Sequence, residues 1–184
     1  MQPDTAFEPI ETARLTLRRS IPEDAGEIAR YRSDPMVRRY QGWGDTDAAT
    51  VRRQIEEMAD RLPGEPGGWV QFTLVERDGG RLVGDVGLSP AEEDPGVIKV
   101  GYTVDPEFQG KGYATEAVQA LVAYAFDTLG AEIVRAYASA ENVPSHRVVE
   151  KSGLTLMERF EGEDDGVKWS GVRYELRRED RPDR

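Results

Sequence analysis

Alternating apolar runs interleaved with amphipathic helical stretches predict one α/β domain. Three observations carry that reading. The run VIKVGYTV, Val97 to Val104, alternates with period two. From Ala114 to Leu129 apolar residues recur at helical spacing. The 19 Gly and 11 Pro of the 184-residue chain fall between short elements, without a repeat, a low-complexity block or a boundary that would divide it. That length supports one substantial core.

The elements follow in order. RLTLRR, Arg14 to Arg19, alternates Leu15 and Leu17 with polar residues as a half-buried strand does. SIPEDAGEIARYRSD then opens a short helix, with Pro22, Glu23 and Asp24 near its first turn and Ile28 and Tyr31 three residues apart. QGWG, Gln41 to Gly44, links it to a second amphipathic helix carrying Val51, Ile55, Met58, Ala59 and Leu62, which ends before PGEPGG. Trp69 to Glu76 and Arg81 to Leu88 read as a hairpin turning at Asp78, Gly79 and Gly80. The Val97–Val104 strand places Ile98, Val100, Tyr102 and Val104 on one face and Val97, Lys99, Gly101 and Thr103 on the other. After the long helix come a strand from Glu132, a short helix in NVPSHRVVEKSG ending at Gly153, and two late strands, LTLMERF and VKWSGVRYELRR, around an acidic loop, EGEDDG. The domain is expected over residues 10–178, with residues 1–9 and 179–184 as flexible termini.

Charge and composition exclude several function classes. With 35 acidic and 24 basic residues the formal net charge is −11, a field that disfavours nucleic acid and favours a cationic acceptor. Without cysteine, and with His146 as the single histidine, thiolate chemistry and a multi-histidine metal site are excluded. No leader-like start or apolar run of membrane-spanning length is present, so a soluble, cytoplasmic protein without membrane partners is expected.

The most informative stretch is DPEFQGKGYATEAV, Asp105 to Val118. A strand, a glycine turn and a helix form an anion site, because first-turn N–H groups lack helical partners and the helix dipole adds positive potential. Lys111 is followed by Gly112, which fails the Walker pattern, and Thr115 stands where a dinucleotide fingerprint needs its third glycine.

What QGKGYA does match is Q-x-x-G-x-A, and with it the chain resembles the GNAT N-acetyltransferase superfamily. The resemblance extends from about Ile10 to Arg178, through ARLTLR at the start and ENVPSHRVVEKSGL later, where Asn142, Ser145, Lys151, Gly153 and Leu154 match a second family pattern; Leu154 replaces the usual Phe. The two helices before the hairpin, and the ending, look most like the ribosomal-protein N-terminal acetyltransferases of the RimJ/RimL type, a group that also contains enzymes acting on antibiotics and small amines.

The resemblance implies a mixed, mostly antiparallel central sheet flanked by helices, an α+β arrangement, with acetyl-CoA held where two strands diverge. It implies that Gln109, Gly110, Lys111, Gly112, Tyr113, Ala114 and Thr115 wrap the pyrophosphate through main-chain N–H groups. Tyr102, Thr103 and Val104 would offer backbone to the pantetheine arm, Asn142 would bind that arm, and Lys151 would join the cofactor residues. The reaction it implies is direct attack by an amine on a thioester, which needs a deprotonated amine, an N–H donor for the developing oxyanion and a proton for the leaving sulfur. Ser145 is the expected proton donor. Many relatives carry a carboxylate where this chain has Lys99, so the base is sought at Asp85, Glu163 or Asp164, with Asp164 preferred, or in a water chain. The acceptor is a small-molecule amine or a protein N-terminus, a homodimer is left open, and the alternative is a non-catalytic acyl-CoA-binding module. Tyr31, Tyr40, Trp43 and Trp69 are assigned to the core, His146 to a partly exposed helix position and EGEDDG to a solvated loop.

Overall fold

The computed structural model describes residues 1–41, 44, 46–164 and 167–181; the side chains of Asp164 and Val167 also lie outside the described set. One sheet of eight strands organises the chain, in the order β1 (Ile10–Glu11), β2 (Leu15–Arg19), β3 (Val70–Glu76), β4 (Leu82–Pro90), β5 (Val97–Val104), β6 (Ile133–Ser139), β8 (Val167–Arg177) and β7 (Thr155–Asp164). Every neighbouring pair is antiparallel except β5 and β6. A parallel pair needs a crossover, and α4 (Tyr113–Asp127) is that crossover. This is the mixed, mostly antiparallel sheet that was expected, in a single domain.

The sheet's apolar face carries the main core. Ala117, Val118, Leu121, Val122, Ala125 and Phe126 of α4 are buried against Leu15, Leu17, Phe72, Leu74, Val86, Leu88, Ile98, Val100 and Val134 of the strands. The apolar stripe read from the sequence is the buried stripe. On the other face α1 (Ala25–Arg32) and α3 (Ala48–Met58) pack through Ile28, Tyr31, Val51 and Ile55, a smaller second cluster. Among the described residues no helix is long and apolar enough to cross a membrane.

Three local features depart from the sequence reading. The helix expected after Ser20 begins as a 3-10 turn, Pro22–Asp24, and α2 (Pro35–Arg38) follows it, a single turn capped by Asp34, whose carboxylate accepts from the Met36 N–H at 2.8 Å. The acidic stretch expected as a solvated loop is largely strand: Glu161, Gly162, Glu163 and Asp164 pair with Ser170, Trp169, Lys168 and Val167. The hairpin stands at an exposed sheet edge, where acidic side chains cost little to hold and Glu163 faces Lys168 with opposite charge. Residues 1–9, expected as a flexible terminus, make specific contacts. The Gln2 N–H donates to Leu129 O at 2.9 Å, Tyr124 donates to Asp4 at 2.6 Å, and Phe7 stacks on Phe72 at 5.1 Å. At the other end Arg178 to Asp180 form a 3-10 turn.

Candidate active site

The β5–β6 ladder is short. It runs Val97↔Ile133, Ile98↔Val134, Lys99↔Arg135 and Val100↔Ala136, then stops, although β5 continues to Val104 and β6 to Ser139. Tyr102, Thr103 and Val104 therefore keep backbone groups on that edge without a β6 partner, at the point where the two strands splay apart. Sequence periodicity placed these residues in a strand; the splay comes from the sheet.

Beyond Val104 the chain makes a 3-10 turn, Pro106–Phe108, and enters the glycine loop. Gly110 and Gly112 take φ of 75° and 85°, the left-handed region that a side chain disfavours. A Cβ at Gly110 would meet nothing within 4 Å, so this face of the loop is open. Gly112 is the N-cap of α4 and supplies no side-chain cap, which leaves first-turn N–H groups turned toward the opening. Gln109 braces the loop from within, its Nε2 donating to Val104 O at 2.9 Å. Lys111 is exposed, with Nζ 4.7 Å from the centre of the Phe108 ring. Tyr113 is buried and donates to Glu76, while Ala114 and Thr115 are half-buried in the first turn.

A clasp that sequence reasoning missed holds this helix start. Glu116 accepts from Thr12 Oγ1 at 2.7 Å, from the Arg14 N–H at 2.8 Å and from Arg14 Nε at 2.7 Å, and Arg14 Nη1 donates to Lys111 O at 2.9 Å. Burial opposes ionisation of Glu116, but these donors outweigh it and hold its carboxyl below the usual range. The residues lie about a hundred positions apart, so no local pattern announces the clasp.

Across the splay stands α5 (Val143–Lys151). Asn142 is its N-cap, with Oδ1 accepting from the Ser145 N–H at 3.2 Å. Tyr102 reaches Ser145: the two hydroxyl oxygens lie 2.7 Å apart, and the Tyr102 hydroxyl is 3.1 Å from Ser145 O. Burial raises the phenol to about 12, the Ser145 hydrogen bond opposing it, so Tyr102 keeps its proton at neutral pH. Tyr102 was expected to contribute backbone alone; its hydroxyl links strand and helix. His146 is half-buried, its Nε2 2.9 Å from Ser139 O. Lys151, at the end of α5, accepts at its carbonyl from Gln119 Nε2 at 2.9 Å, tying α5 to α4.

On the opposite face a cavity of about 590 Å³ opens over β3, β4 and β5, lined among others by Met58, Trp69, Gln71, Lys99, Thr103 and Tyr137. Trp69 is 43% exposed, and among the described aromatic residues assigned to the core only Tyr31 is fully buried. Tyr40 is half-buried, and Trp43 lies outside the described residues. The reason is local. Trp69 precedes β3, and its ring lies across two glycines, 3.2 Å from a Cβ position at Gly87 and 3.5 Å from one at Gly101. Asp85 is not a free base. It accepts from Tyr31 at one oxygen and from Arg32 Nη2 at 2.8 Å at the other. Glu163 is exposed on the edge hairpin, and Asp164 closes β7 opposite Val167.

Comparison with known proteins agrees with this architecture. A family model described as an acetyltransferase (GNAT) domain matches residues 14–155. The chain belongs to the GNAT acetyltransferase family. It is 32% identical over 155 residues to an uncharacterised N-acetyltransferase, p20, of Bacillus licheniformis, an alignment covering 80% of this chain and 85% of that protein. An acetyltransferase of the same family from Bacillus anthracis superposes with a TM-score of 0.82 at 24% identity, over 94% of this chain and 99% of that one. RimJ of Mycobacterium smegmatis, solved in complex with CoA-disulfide, superposes with a TM-score of 0.79 at 18% identity, over 92% and 84%.

Proposed function

We propose that this GNAT protein transfers an acetyl group from acetyl-CoA to a primary amine. One observation carries the reading: the splay of β5 from β6 lies next to an uncapped helix start preceded by two glycines in left-handed conformation. The residues present fit the cofactor, since the open face at Gly110 and the free first-turn amides suit a pyrophosphate, and the unpaired edge at Tyr102, Thr103 and Val104 suits an amide-bearing arm.

Acetyl-CoA, when bound, supplies an activated acyl carbon: the amine nitrogen bonds to that carbon as the carbon–sulfur bond breaks, the amine gives up a proton and the sulfur takes one. Main-chain N–H groups from Gly110 to Thr115 would hold the phosphates, with Lys111 adding charge and Gln109 keeping the loop's shape. Asn142 would orient α5, and Lys151 would lie at its far end. Ser145, hydrogen-bonded to a Tyr102 that stays protonated, would deliver the proton to sulfur. Asp164 is assigned as the acceptor of the amine proton. Its place on the backbone supports this: β6 ends at Ser139, opposite Gly171, and the β7–β8 ladder runs past that point to the Asp164–Val167 pair, at the end of the sheet where β5 and β6 splay.

Acetyl-CoA should raise the melting temperature and release thiol with an amine acceptor, because a ligand that binds only the native state stabilises it. Unchanged melting in saturating acetyl-CoA would sink the proposal. Asp164→Asn should remove the acidic limb of the pH–rate profile; an unaltered limb reassigns the base. Stabilisation without thiol release from any amine favours a binding module, a reading that Lys99 and the engaged Asp85 support.

A further inference from the structure

We infer that the cavity over β3, β4 and β5 selects a primary amine that also bears a carboxylate, read by Lys99 and Gln71. This deepens the acetyltransferase reading and rests on it. Three observations converge.

Gln71 is 9% exposed and lines the cavity, and its Nε2 has no hydrogen-bond partner. An amide so placed is costly to leave unsatisfied, and a ligand oxygen would satisfy it. Strand alternation turns Val70 and Phe72 into the core and Gln71 to the cavity face, where its amide nitrogen is left unpaired.

The charges around the cavity are unbalanced. Arg32 and Asp85 cancel each other in a buried pair. Lys99 is half-buried and has no carboxylate within 4.0 Å among the described residues; its Nζ lies 6.0 Å from the Trp69 ring centre. Arg61 is half-buried too, donating to Gly67 O at 2.6 Å. The other lining carboxylate, Glu57, is 67% exposed and paired with Arg53. A half-buried cation without an acidic neighbour attracts an anionic group.

The floor sets the spacing, with the Trp69 indole lying over its two glycines. Gln71 pairs with Gly87 and Gly87 with Gly101, so one bare residue on β4 separates Gln71 from a second on β5, where Lys99 shares a face with Gly101. Gln71 and Gly101 stand two strand spacings apart, about 10 Å. The Trp69 indole covers the glycine pair, so a carboxylate would lie on the indole, between the Lys99 and Gln71 side chains. The net charge of −11 pointed to a cationic acceptor; the cavity lining sets Arg32, Arg61 and Lys99 against Glu57 and Asp85, and these nearby charges weigh more on what the cavity holds.

The test pairs amino acids with their amides, 4-aminobutyrate and phenylalanine among them, beside polyamines and a peptide whose second residue is Asp. Thiol release is measured with acetyl-CoA, and binding is measured calorimetrically on protein saturated with CoA, where no turnover occurs. Carboxylates should be preferred over amides by about tenfold or more, the strength of one charge-assisted hydrogen bond. Lys99→Gln should abolish the preference through KM, Lys99→Arg should restore it, and Gln71→Leu should weaken carboxylate binding without lowering the melting temperature. Preference for the peptide over the free amino acids would place the carboxylate in a protein N-terminus; the reverse places it in a small molecule. Equal use of amide and acid, polyamines preferred over both, or no carboxylate binding to the CoA-saturated protein would overturn the inference. The melting shift of the wild-type protein with acetyl-CoA is read separately, so loss of that shift refutes the transferase reading and not the acceptor alone.

Discussion

Ser145 and Tyr102 share a hydrogen bond at the splay, and under the proposed function their substitutions should be coupled. Ser145→Ala should lower kcat by about a hundredfold, the scale of positioned proton transfer, with much less change in acetyl-CoA affinity. Tyr102→Phe removes the hydrogen-bonded partner and should act in the same direction. The double variant should be little worse than the poorer single one, because residues in one network do not add. With the phenol at about 12, no basic limb from Tyr102 is expected below about pH 10. Steady-state kinetics across pH check all of this; additive losses would separate the two hydroxyls. The sequence singled out Ser145 through a short local pattern. It could not show the Tyr102 hydroxyl, since a strand tyrosine carries no sign of which helix its ring will meet. Gln71 was invisible for a related reason: a buried amide without a partner is a property of its surroundings.

At the scale of elements, the glycine loop depends on the clasp between the start of the chain and α4. Glu116→Ala removes three donors' common acceptor and leaves Arg14 and Thr12 to find water, at a cost of about 1–2 kcal/mol, or roughly 2–8 °C in melting temperature. It should also weaken acetyl-CoA binding, because Arg14 releases Lys111 O when its own anchor goes; thermal melting with and without cofactor reads both effects. Strongly periodic elements were legible in advance. β5 spans the eight residues its alternation marked, and α4 buries the stripe its spacing marked. Short elements were not: β1 has two residues and α2 four, too few for a period to register. The acidic run before the β7–β8 turn was read as loop because composition argued for solvent, and an exposed hairpin satisfies solvent and strand together.

For the molecule as a whole, the buried Asp24 and the half-buried Glu116 contribute to the response to acid. Burial opposes the ionisation of Asp24, but Arg18, the Ile21 N–H and Thr73 more than compensate, and its carboxyl is lowered, as that of Glu116 is. Groups lowered in the folded state contribute stability above their unfolded pKa and lose it as pH falls through the folded one. The melting temperature should therefore hold from neutral pH to about pH 5 and fall below about pH 4. Glu116→Gln should flatten part of that fall; an unchanged acid slope would remove the clasp from the account.

The sequence by itself determined the strand and helix periods, the glycine loop at a helix start and the two motifs that identify the family, because each depends on residues within one or two turns of one another. Only the tertiary structure decided the strand order that sets β8 beside β6, the point where β5 leaves β6, the meeting of Tyr102 with Ser145 and the gathering of Lys99 and Gln71 around one cavity. Each of these is a juxtaposition of distant segments, settled by how the sheet packs against its helices and not by local preference.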